Sequence, residues 1–125
     1  MEHTHAILII DDDANIRELL NVNLQAKGYS VLTAENGRAG LDMIRRRPPD
    51  LVILDVMMPE ADGWEVCKTI RDNPDLHALK ILMLTAKGSD KDRMIGKDVL
   101  GADEYMAKPF DIDALLITVA ELLHG

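Results

Sequence analysis

Two rhythms of apolar and polar positions alternate along this chain. Short apolar runs fall at Ala6–Ile10, Ser30–Ala34, Leu51–Leu54, Lys80–Leu84 and Glu104–Ala107. Within them "ILII", "LVIL" and "ILML" are apolar at every position. A strand reads this way when both of its faces are covered, as in a parallel sheet. The second and fifth runs are weaker, as befits strands at the edges of a sheet.

Segments with a helical period separate the runs. Ala14–Lys27 places Ile16, Leu19, Leu20 and Leu24 on one stripe, and Gly28 ends it. Gly37–Arg46 closes with Arg45, Arg46 and Arg47 before Pro48-Pro49, cations that complement the dipole at a helix C-terminus. Gly63–Arg71 follows Asp62, with Glu65 three residues beyond, a capping-box pattern, and its apolar face is Val66, Cys67 and Ile70. Asp90–Leu100 and Ile112–Leu123 complete the set. Alternating βα units imply right-handed crossovers with helices on both faces. The expected fold is therefore α/β, a flavodoxin-like, doubly wound (βα)5 arrangement with a five-stranded parallel sheet in the order 2-1-3-4-5. No internal repeat or linker interrupts residues 1–125, so one domain is expected.

Composition narrows the partners. A formal charge of −8 argues against this domain gripping a nucleic-acid backbone itself. No apolar run approaches the roughly 20 residues of a membrane span. The start "MEHTHAIL" has neither a basic region nor a long apolar stretch, so no secretory signal is read and a cytoplasmic location is expected. Cys67 is the single cysteine, which rules out an intramolecular disulfide and reads as a small apolar filler.

The polar residues share one address. In the order 2-1-3-4-5 the carboxyl ends of the strands carry Asp11, Asp12 and Asp13, then Asp55, Thr85 and Lys108. Ligands of open α/β sheets sit at this edge, where the strand order reverses. Asp11, Asp12 and Asp55 would repel one another, and a hard divalent cation such as Mg²⁺ or Mn²⁺ would relieve the repulsion. An ammonium and a hydroxyl beside a carboxylate suit attack on a phosphoryl group. Asp13 reads as a helix N-cap. His3 and His5 have metal-like spacing but lie at a terminus, and His77 and His124 have no evident partners. Trp64 is expected to pack near the start of the third helix, and Met43, Met83 and Met94 to fill the core.

Asp11-Asp12, Asp55 with Pro59 and Gly63, Thr85-Ala86 and Lys108-Pro109-Phe110 together resemble the CheY-like receiver domain of two-component response regulators. Each motif alone is weak; the ordered set is specific and spans essentially the whole chain. The resemblance implies that Asp55 is the phosphoacceptor for a histidine kinase or phosphotransfer protein. It implies that Asp12 ligates Mg²⁺ directly, Asp11 does so through water, and the Met57 backbone carbonyl completes the protein ligands. Lys108 would pair with Asp55, its bond to Pro109 would be cis, and Thr85 and Tyr105 would act as the switch. The output surface would be the face of the fourth helix, fifth strand and fifth helix, engaging an output domain, a partner protein or a second copy after phosphorylation. The broad apolar surface of Ile112–Leu123 is expected to serve there. Met57 and Lys87 occupy positions that influence phosphoryl lifetime in the family, and neither would orient an attacking water, so slow autodephosphorylation is expected. Such a domain is a signalling phosphoacceptor rather than an enzyme, free-standing or at the head of a longer regulator.

Two other readings compete. Asp11-x-Asp13 after a strand is similar to haloacid-dehalogenase-type phosphatases, with Asp11 as nucleophile and Asp13 as general acid. Asn15 departs from the Thr or Val expected there. A flavodoxin-type cofactor module would need a phosphate-binding loop after its first strand, where this chain is acidic.

Overall fold

The computed structural model describes residues 4–56, 63–86 and 101–124. Five strands, β1 (Ala6–Ile10), β2 (Ser30–Ala34), β3 (Leu51–Asp55), β4 (Lys80–Ala86) and β5 (Glu104–Lys108), form one parallel sheet in the order β2-β1-β3-β4-β5. Helices α1 (Ala14–Ala26), α2 (Gly37–Arg46) and α3 (Gly63–Asp72), a 3₁₀ turn at Pro74–Leu76 and a C-terminal helix at Ile112–His124 connect or flank them. The flavodoxin-like order expected from the sequence is the one observed. The expected helix at 90–100, the Asp62 cap, Pro59, Met94 and His3 lie outside the described residues.

The all-apolar strands divide their side chains between two cores, as a period of two requires. Ile7, Ile9, Leu51, Ile53, Leu82 and Leu84 pack with Leu20 and Leu24 of α1 and with Leu115 and Val119 of the C-terminal helix. Leu8, Ile10, Val52, Leu54, Ile81 and Met83 pack with Ile44 of α2 and with Val66, Cys67 and Ile70 of α3. Trp64 and Met43 lie against this second core. The central strands are thus covered on both faces, whereas the edge strands β2 and β5 are only partly so.

Local chemistry fixes the helix ends. The Asp13 carboxylate accepts from the Asn15 N–H at 2.8 Å, the N-cap read from the sequence. Gly28 ends α1 at φ 93°, with its N–H on the Gln25 carbonyl and the Tyr29 N–H on the Leu24 carbonyl. This is a Schellman closure, which needs a left-handed residue at that point. Asn73 caps the 3₁₀ turn that Pro74 begins.

Three expectations need correction. Leu19 is 42% exposed. Ile16, Leu20 and Leu24 recur every four residues and form the line that faces the core, Ile16 half-buried and the two leucines fully so, while Leu19 lies about 100° around the helix from Leu20. The C-terminal helix turns most of its apolar side chains inward: Leu115 and Val119 are fully buried, and Ile112, Leu116, Leu122 and Leu123 pack on the same core. Ile117, 59% exposed, is its large outward apolar residue. His5 and His124 are partners, with ring centroids 4.8 Å apart and nearly perpendicular, and Tyr29 stacks on His124.

Candidate functional site

β1, β3, β4 and β5 run parallel and in register, so their carboxyl ends meet. Ile10 lies opposite Leu54, Asp55 opposite Leu84, and Thr85 and Ala86 opposite Ala107 and Lys108. Asp55 is the last residue of β3 rather than the first after it, because β4 continues alongside to Ala86 and the Val56 N–H reaches the Leu84 carbonyl at 3.1 Å. The sheet therefore holds this carboxylate in place. Gly63, at the start of α3, presses on the same backbone: a Cβ there would stand 2.5 Å from the Asp55 carbonyl oxygen and 2.8 Å from the Val56 Cα.

Asp11, Asp12 and Asp55 each offer a carboxylate oxygen, all within 4.8 Å of one another. Asp11 and Asp55 are buried, and Asp12 is exposed. Lys108 reaches into the cluster from β5, with its Nζ 2.9 Å from Asp11 Oδ2 and 3.4 Å from Asp55 Oδ2. The sequence assigned this ammonium to Asp55. The shorter contact is to Asp11, and the lysine bridges both acids. Burial pulls the Lys108 ammonium below the ordinary lysine value, but the hydrogen bond and charge of Asp11, joined by those of Asp55, outweigh it and leave the group raised. The Lys108-Pro109 bond is cis.

Asp11 is held on every side. Its N–H donates to the Ala34 carbonyl at 3.2 Å, its Oδ1 accepts from the Asp13 N–H at 2.9 Å, and its carbonyl accepts from Arg17 Nη1 at 2.8 Å. The sequence reading missed Arg17. Its one signal is a cation in the first turn of a helix, where the dipole disfavours it. Thr85 is buried in β4 at the same edge of the sheet. Tyr105 of β5 is half-buried against the core formed with α2 and α3. Met57 and Lys87 lie outside the described residues.

At 4.8 Å two like charges repel by roughly 3–4 kcal/mol at an effective dielectric of about 20. Asp12, being exposed, feels less of this. Among the described residues the cluster holds three carboxylates and one ammonium, a balance of two negative charges, equal and opposite to that of a divalent cation. The donors are hard oxygens, and the exposed Asp12 leaves a wet side for the waters that Mg²⁺ retains. The donor set fits such an ion.

Asp11 and Asp13 are poorly placed for the phosphatase reading. Asp11 is tied to Lys108, and the Asp13 carboxylate is engaged as the cap of α1.

Residues 7–120 match the family described as response regulator receiver domain. The response regulator MprA of Mycolicibacterium vanbaalenii is 48% identical over 118 residues, covering 94% of this chain and 50% of that protein. The chain thus spans about half the length of the curated relatives it matches. The chemotaxis protein CheY4 of Vibrio cholerae superposes with a TM-score of 0.90 at 35% identity, covering 97% of this chain and all of that one. The signal receiver domain of a signal transduction histidine kinase from Syntrophus aciditrophicus superposes with a TM-score of 0.89 at 33% identity, covering 98% of this chain and 92% of that one. None of this supports the phosphatase alternative.

Proposed function

Because this chain belongs to the response regulator receiver domain family, we propose that Asp55 is its phosphoacceptor, charged by a histidine kinase or phosphotransfer protein. The observation that carries the reading is the Asp55 carboxylate itself: 1% exposed, fixed at the end of β3, with an ammonium at 3.4 Å and two further acids beside it. An Asp55 carboxylate oxygen forms the new bond to phosphorus. The bond from phosphorus to the donor's imidazole nitrogen breaks, and the imidazole leaves with the electron pair. The product is an aspartyl phosphate.

Asp12 and Asp55 would hold Mg²⁺ or Mn²⁺ directly, Asp11 through water, with the Met57 carbonyl as a further ligand. When bound, the ion supplies positive charge to the phosphoryl oxygens as a Lewis acid. Lys108 presents its ammonium to the same oxygens from the carboxyl end of β5 and relaxes its hold on Asp55 as charge moves outward. Thr85 donates its hydroxyl to a phosphoryl oxygen, and Tyr105 follows. The change reads out on the face of β5, the C-terminal helix and the segment between β4 and β5. There an output domain, a partner protein or a second copy docks. The domain works as a signalling phosphoacceptor in the cytoplasm, makes no direct contact with nucleic acid and loses its phosphoryl group slowly, because neither Met57 nor Lys87 orients water.

Incubation with a small-molecule phosphodonor and Mg²⁺, followed by intact mass, tests this. Wild type should gain one phosphoryl group, and neither Asp55→Asn nor chelated wild type should. A gain that persists in Asp55→Asn would overturn the assignment.

A further inference from the structure

We propose that Arg17 is a positioning residue for the cation site, acting through the peptide that joins Asp11 to Asp12. The inference rests on reading the acid cluster as a divalent-cation site.

Arg17 lies in the first turn of α1, where a cation opposes the helix dipole. Its side chain folds back, half-buried, and Nη1 donates to the Asp11 carbonyl at 2.8 Å. That carbonyl belongs to the peptide leading into Asp12. Asp12 is the exposed acid of the three, and no hydrogen bond to another described residue fixes its carboxylate. The direction of Asp12 therefore follows from the plane of the 11–12 peptide. The Asp13 N–H on the Asp11 carboxylate closes a ring through the 11–12 peptide and limits its rotation, but among the described residues the other anchors of Asp11 hold only its N–H and its carboxylate and none bonds the carbonyl itself. Arg17 does. Partners beyond the ligands commonly set metal affinity in this way.

The sign of the effect separates positioning from charge. Removing a positive charge near an acid cluster should, by Coulomb's law alone, tighten cation binding. Loss of the carbonyl anchor should weaken it.

The test uses Mn²⁺ alone, titrated into the full chain and followed by the paramagnetic resonance of the free ion. Arg17→Gln is expected to weaken Mn²⁺ binding by about tenfold. Arg17→Lys keeps the charge with a shorter reach and should lose less. Equal or tighter binding by Arg17→Gln overturns the proposal, as does full wild-type affinity in Arg17→Lys, which remains decisive if the Gln variant folds poorly. Wild type that binds no Mn²⁺ instead sinks the cation-site reading, and this inference with it.

Discussion

Replacing Gly63 with alanine adds a single methyl group where the chain has no room for it. The new Cβ would lie 2.5 Å from the Asp55 carbonyl oxygen, 2.8 Å from the Val56 Cα and 3.0 Å from the Asp55 carbonyl carbon. All three are backbone atoms, so no side-chain rotation relieves the contact. The end of β3 or the start of α3 must move. Alanine gains about 0.5–1 kcal/mol over glycine inside a helix, and less at its first residue. Overpacking costs about 1–3 kcal/mol. The balance is a net loss of about 1–2 kcal/mol, or roughly 4–8 °C in melting temperature for a chain of this size. Gly40→Ala is the control. Its Cβ would press on the Ile10 side chain, meeting Cδ1 and, at 2.7 Å, Cγ1, rather than on the backbone that carries Asp55. Both variants should therefore lose stability in urea titration, but only Gly63→Ala should also weaken Mn²⁺ binding. A Gly63→Ala protein as stable as wild type, with unchanged Mn²⁺ affinity, would refute the argument that this glycine exists for its close approach to Asp55.

Burial pushes the Cys67 thiol from 9.0 up to about 11. The unfolded chain then loses that proton first as pH rises, so stability should fall between 9.0 and about 11, by roughly 2–3 kcal/mol in all. Urea titrations at the two ends of that window should show the slope in wild type and a shallower one in Cys67→Ala, where the raised Lys108 still contributes in the same direction. Asp103 Oδ2 accepts from Arg71 Nη2 at 2.6 Å and from the Ile81 N–H at 2.7 Å. Asp103→Ala strands the Ile81 amide and should cost about 1–3 kcal/mol in the same assay. Ile53→Ala, in the middle of the sheet, should cost about 2–5 kcal/mol, whereas Ile117→Ala on the exposed face should stay within about 0.5 kcal/mol.

The fold was legible because it rests on local patterns. Apolar runs marked the strands, Gly28 and Asp13 marked the ends of α1, and the βα alternation left one compact strand order. The site followed from topology: once the order is 2-1-3-4-5, Asp11, Asp55, Thr85 and Lys108 must emerge together. What stayed hidden depends on side-chain directions across long separations. Arg71 joins Asp103 and the carbonyls of Leu79 and Gly101, residues with no shared period. The preference of Lys108 for Asp11 over Asp55 is a matter of half an ångström. Leu19 was misread because an apolar residue at the margin of a helical stripe looks, in sequence, like one at its centre. The Arg17 contact was hidden for a related reason: an arginine four residues into a helix ordinarily reads as solvated charge.

The most direct test is to find which side chain carries the phosphoryl group. After treatment with a small phosphodonor and Mg²⁺, borohydride reduces an aspartyl phosphate to homoserine, and peptide mass spectrometry then locates the change. Homoserine should stand at position 55 alone. Homoserine at position 11, or a phosphoryl group retained on another residue, would contradict the account.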